Sequence, residues 1–248
     1  AHAGDAVVFR EPVVEHRGLQ RAQGDAALVG RARAHLQAGR EPEALADAQQ
    51  VPAGFVFTFN YSETLGSNRT RLGNRLWEYT ADRGSIAIPP AWRVNDPRIP
   101  QRVAPAGLAA QDANYAKDRG VTYVIQDKYP AFSSPIRLAS KLEAEYIAAE
   151  ASGTAAMLDL IAARRAANGL PAYEGPQDAA SVLVEFQDQR GAEFFLEGKR
   201  LGDLRRNGAA VRHVPVAGAP YWKPGFAPIG GQTCFPLPVQ ETSNNPNL

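Results

Sequence analysis

Three kinds of residue set could do chemistry in this chain: metal ligands, an activated nucleophile, or paired carboxylates. The four histidines, His2, His16, His35 and His213, are isolated from one another and from the single cysteine, Cys234. No metal site and no cofactor are therefore expected. There is no Gly-x-Ser-x-Gly elbow, and the Gly-rich run 225–231 lacks the Lys-Ser/Thr that completes a phosphate loop. Carboxylates remain. Glycoside cleavage takes two of them, held about 5–10 Å apart across a cleft. Glu143 with Glu145, Glu150, and Glu193 with Glu197 are the available groups. All lie in helical patterns rich in Arg, where ion pairing is the expected use, so no catalytic residue is assigned and the chain is not read as an enzyme.

Sugar binding makes a different demand. A glycan offers apolar C–H faces that stack on flat rings, and hydroxyls that bond to Asn, Asp, Gln and Arg. Trp77 with Tyr79, Trp92 with Arg93 and Asn95, Tyr115 with Asn114, and Tyr221-Trp222 with Lys223 fit that pattern. Trp92 and Trp222 lead because Pro-rich loops hold them. The competing reading is that these rings fill gaps beneath loops.

The elements that must position these residues are set by an ordinary globular composition. With 248 residues the chain can bury a sizeable core. Lys+Arg number 27 against Asp+Glu 26, so no basic face for nucleic acid is expected. No apolar run reaches the roughly 18 residues of a membrane span. With no initiator Met and no apolar leader, the chain is expected to be processed or trimmed. Cys234 is expected to be a buried free thiol on a short strand with Thr233, Phe235 and Leu237.

Residues 1–23 read as an irregular entry, with Val7-Val8-Phe9 and Val13-Val14 extended. A helix is expected over Ala26–Leu36, ended by Ala38-Gly39. Pro42 then opens a second helix through Ala48. Ala32 and Ala44 let the two approach closely, which is the helix–turn–helix pattern of a tetratricopeptide unit, seen once and without a convincing 34-residue period. Residues 53–134 are loop-rich, with Phe55–Phe59 as a strand or extended loop, Leu72–Thr80 as a short helix and Val121–Gln126 β-like. Helices return at Ile136–Ser152, with Leu138, Leu142, Glu145 or Tyr146, and Ala149 on one stripe, and at Thr154–Asn168, with Leu158 and Ile161 inward. A last helix is expected over Phe186–Gly208. It carries Arg190, Glu193, Glu197 and Arg200 along one side, alternating in sign and satisfying one another at about 0.2–0.5 kcal/mol per pair. Phe186, Phe194, Leu201 and Leu204 form its apolar stripe. Gly198 costs this helix about 1 kcal/mol relative to Ala and points to close backbone approach or a kink.

The order Arg-x-x-Glu-Phe-x-x-Glu-Gly-x-Arg-x-x-Asp-Leu-Arg-Arg, from Arg190 to Arg206, resembles the C-terminal signature of the SusD/RagB family. Asn95–Pro100, Pro135–Ala151, and Phe235–Pro238 with Asn244–Leu248 resemble three further family segments, in the family's order. The resemblance implies a mainly α, SusD-like fold with tetratricopeptide-type helical hairpins and long irregular loops. It is expected as a single domain over 1–248, with the hairpin at 25–52, a loop-rich insertion at 53–134 and the signature region at 135–248. It implies that Arg190, Glu193, Glu197, Arg200 and Asp203 form an internal salt-bridge scaffold. It also implies a surface protein of the outer membrane's extracellular face that binds a nutrient, an oligosaccharide, and delivers it to a TonB-dependent, SusC-like transporter. Family members are typically about twice as long, so an N-terminal half is expected to be missing or reduced. Their acylated Cys is replaced by Ala1, so a lipid anchor is inferred rather than present. A tetratricopeptide-type protein scaffold without a small ligand is the alternative, and a glycoside hydrolase a third reading.

Overall fold

The computed structural model describes residues 13–63, 72–104 and 120–232, together with Pro238 and Ser243. Val7–Phe9, Asn114 with Tyr115, Cys234 with its strand, and most of the closing segment lie outside the described residues. The protein is mainly α-helical, as the sequence implies.

Helix α1 (Val13–Gln37) starts well before the expected position. Its first turns carry Glu15, His16, Arg17, Gln20 and Arg21 and so show no apolar stripe to read. The turn closes through Gly39 at φ 70, and α2 (Glu41–Gln50) follows with Pro42 in its first turn. Val29, Ala32 and Leu36 of α1 share one core cluster with Ala44 and Ala48 of α2. Arg31 ties the pair by donating to buried Asp47 at 2.6 Å.

Ile136–Ser140, expected as helix, is strand β4, antiparallel to β1 (Val56–Phe59) with Val56 opposite Ser140. The helix begins only after it. Ser140 is its N-cap, accepting from Glu143 N at 3.2 Å, so Ser140-x-x-Glu143 marked the true start. Helices α3 (Lys141–Ser152) and α4 (Thr154–Ala167) are joined by Gly153 alone, at φ 92. In α4, Met157 and Ile161 are buried while Leu158 is partly so. Helix α5 (Ala179–Glu193) packs next, capped by Asp178. The helices stack in sequence: α1 on α2, α2 on α3, α3 on α4, α4 on α5. A second helical pair therefore continues the first, and the excursion between them hides any 34-residue period.

Within that excursion, the expected helix over 72–80 shrinks to one turn, Arg75–Trp77, running into a π turn at Glu78–Asp82. A 3-10 turn forms at Pro90–Trp92. Strands β2 (Gln101–Val103) and β3 (Val124–Gln126) pair antiparallel.

The expected continuous helix over 186–208 is two helices. Helix α5 ends at Glu193 and α6 (Arg200–Asn207) starts afresh. Between them Leu196 adopts φ 61 and Gly198 φ 73. A Cβ on Gly198 would meet nothing within 4 Å, so its role is the left-handed backbone rather than close approach. The apolar stripe is cut at the same place: Phe186 and Phe194 pack on Tyr146, whereas Leu201 is 51% exposed. Among the described residues no helix is long and apolar enough to cross a membrane.

Candidate functional site

Breaking the helix at Phe194 changes the partners of every motif charge. Glu193 accepts from Arg164 Nε at 2.8 Å and meets Arg98 Nη1 at 3.4 Å. Glu197 accepts from Lys128 Nζ and Arg137 Nη2, both at 2.8 Å. Arg190 donates to Asp203 at 2.8 Å across the break. The expectation that Arg190, Glu193, Glu197 and Arg200 satisfy one another is thus corrected. The carboxylates have left helical spacing and turn inward to cations from residues 98, 128, 137 and 164.

Of the other candidate carboxylates, Glu145 is exposed, whereas Glu143 and Glu150 are engaged. Glu143 accepts from Arg33 Nε at 2.7 Å and pairs with Lys199 at 3.0 Å. Burial pushes the Glu143 pKa up, but the Arg33 hydrogen bonds and the Lys199 charge outweigh it and hold it below the usual range. Burial pushes Lys128 and Lys199 down despite their carboxylate partners. Glu150 accepts from Arg206 Nε at 2.6 Å and Asn207 Nδ2 at 2.7 Å. Among the described residues no three His, Cys, Asp or Glu side chains group as metal ligands do.

The aromatic residues assemble a cleft. Its floor is Gly191 on α5, where a Cβ would lie 3.0 Å from Trp92 Cη2 and 2.9 Å from Arg200 Nη1. The Pro90–Trp92 turn lays Trp92 on this bare patch of helix, beside Phe195 with ring centres 5.5 Å apart. The Arg200 guanidinium sits 4.8 Å over the Trp92 ring. Downstream, the chain folds back on itself: Gly218 N donates to Ile229 O at 2.8 Å and Ile229 N to Ala219 O at 2.9 Å. That reversal presents Tyr221 and Trp222, whose ring centres are 6.0 Å apart. Trp222 is backed by Ala87, Tyr123 and Ile125, with Arg93 5.1 Å over its ring. Together these segments line a cavity of ≈ 730 Å³, within the usual range for small-ligand sites.

Of the residues selected from sequence for sugar binding, Trp92, Tyr221 and Trp222 share this cavity. Trp77 is elsewhere, packed at a tilt against Phe132 with ring centres 4.4 Å apart, which is the gap-filling use of a ring. Tyr79 lies between Arg75 and Arg83, 5.9 and 5.7 Å from its ring centre, and Asn95 is exposed outside the cavity. Tyr115 lies outside the described residues. Sequence reasoning missed Gly191, Phe195 and His213 as cavity residues. A glycine inside a helix, as at Gly191, was the readable signal.

No family model matches the sequence. No curated protein matches it either. Among solved structures the chain is similar to a SusD superfamily protein from Bacteroides vulgatus ATCC 8482, at 18% identity and a TM-score of 0.46. The match covers 74% of this chain and 51% of that one, so the chain spans about half the length of the solved protein.

Proposed function

We propose that this protein captures a nutrient, an oligosaccharide, in the Trp92–Tyr221–Trp222 cavity and releases it unchanged. The observation that supports the reading is the convergence of three aromatic rings from two distant loops on one cavity of ≈ 730 Å³. Rings of this kind stack on sugar faces, and the flanking guanidinium groups offer donors to hydroxyls. Capture for transport requires affinity modest enough to let the cargo go. Delivery to a TonB-dependent, SusC-like transporter at the extracellular face of the outer membrane, with a lipid anchor, belongs to the same proposal. It is supported by the four sequence segments that resemble the SusD/RagB family.

Isothermal titration against a panel of oligosaccharides and peptides tests it, with Trp92→Ala and Trp222→Ala alongside. Saturable heat from one ligand class, lost in either variant and without product formation, is the expected result. Silence across the panel from folded protein contradicts it and favours a protein-binding scaffold built on the stacked helical pairs.

A further inference from the structure

We infer that the cavity is selective for a ligand whose ring carries a carboxylate, an acidic sugar unit within the oligosaccharide. This rests on the capture reading and narrows its cargo.

The polar groups on the cavity wall decide the matter. Asp203 accepts from Arg190 Nε at 2.8 Å and from Arg206 Nη2 at 3.0 Å, so its charge is already answered. Lys199 donates to Leu138 O at 2.6 Å and pairs with Glu143 at 3.0 Å. One guanidinium group is left over, since Arg190 is paired with Asp203. Arg200 donates to the Arg212 carbonyl, and among the described residues no carboxylate forms an ion pair with it. Burial pushes its pKa below the ordinary arginine value, and the charges of Asp203 and Asp188 only partly offset that.

A partly buried guanidinium without a carboxylate partner can take one from a ligand. Among the described residues the wall thus presents one guanidinium, that of Arg200, without a carboxylate partner, beside Trp92, Tyr221 and Trp222. The complement is a flat-faced body bearing an anionic acceptor. A carboxylate fits a guanidinium in the two-bond geometry that a hydroxyl cannot reproduce.

The test is calorimetry with a glucuronate-bearing oligosaccharide, its carboxyl-reduced neutral counterpart, and benzoate. The acidic sugar is expected to bind about ten- to a hundredfold more tightly than the neutral one, with the preference shrinking as salt rises. Arg200→Gln should remove the preference, so that the acidic and the neutral sugar bind that variant with equal affinity. If that variant fails to fold by circular dichroism, the salt dependence of the wild-type preference carries the test. Equal affinity for acidic and neutral sugars overturns the inference and leaves the capture reading standing. Binding of neither overturns both. Binding of benzoate alone keeps the carboxylate and overturns the sugar.

Discussion

Trp92 Cη2 lies 3.0 Å from the point that a Cβ on Gly191 would occupy, so the indole rests directly on the backbone of α5. This contact couples a glycine in a helix to the wall of the ligand cavity. Three glycines separate the effects. Gly30 lies inside α1 with open space at its Cβ position, and Gly30→Ala should stabilise by about 0.5–1 kcal/mol through helix propensity. Gly198→Ala should cost about 1 kcal/mol, because φ 73 is strained for any side chain. Gly191→Ala should gain less than Gly30→Ala, since Trp92 and Arg200 must move, and it should weaken ligand binding. Urea unfolding and calorimetry check the series; a Gly191→Ala protein as stabilised as Gly30→Ala, with unchanged binding, contradicts the contact.

Trp77 and Trp222 should divide stability from binding. Trp77→Ala removes the packing on Phe132 and should cost about 2–4 kcal/mol of stability, with ligand heat preserved. Trp222→Ala opens the cavity wall and should lower affinity at least about tenfold, the loss of one good ring contact. Loss of binding in Trp77→Ala protein that remains folded would place the ligand elsewhere.

Glu143 predicts the acid response. Its pKa is lowered in the fold, so its stabilisation is complete above the ordinary carboxylate range and is lost as pH falls through the lowered value. Asp96 acts in the same sense: burial raises it, but the Arg98 hydrogen bonds outweigh that. Thermal unfolding should therefore show the melting temperature falling as pH drops below about 4.5, the ordinary value for Glu. Glu143→Gln should cost about 3 kcal/mol at neutral pH by leaving Lys199 buried without its carboxylate. It should also flatten the acid slope. An unchanged slope in the variant would remove Glu143 from the account.

Much of this was legible in the residues. Ala32 and Ala44, with Pro42, marked the first helical pair, and the Pro-rich settings of Trp92 and Trp222 singled out two rings that line the cavity. What escaped was non-local. Strand β4 exists because β1 pairs with it, eighty residues upstream in register with Ser140, and the run Ile136–Ser140 carries no sign of that partner beyond the Ser140 cap. The charges of both signs from Arg190 to Arg200 imitate a helix face, while the backbone at Leu196 and Gly198 sends each to a separate partner. Trp77 has a tyrosine and arginines nearby, as Trp92 has Arg93 and Asn95, and its packing on Phe132 is what takes it out of the cavity.

The most direct test of the cavity uses its own fluorescence. The chain has three tryptophans, so Trp77→Phe leaves Trp92 and Trp222 as the only indole reporters, both on the cavity wall. Titrating that variant with the ligand found by calorimetry should give a saturable change in emission with the same Kd as the heat. Saturating heat with no change in emission would put the ligand outside the cavity and contradict the account.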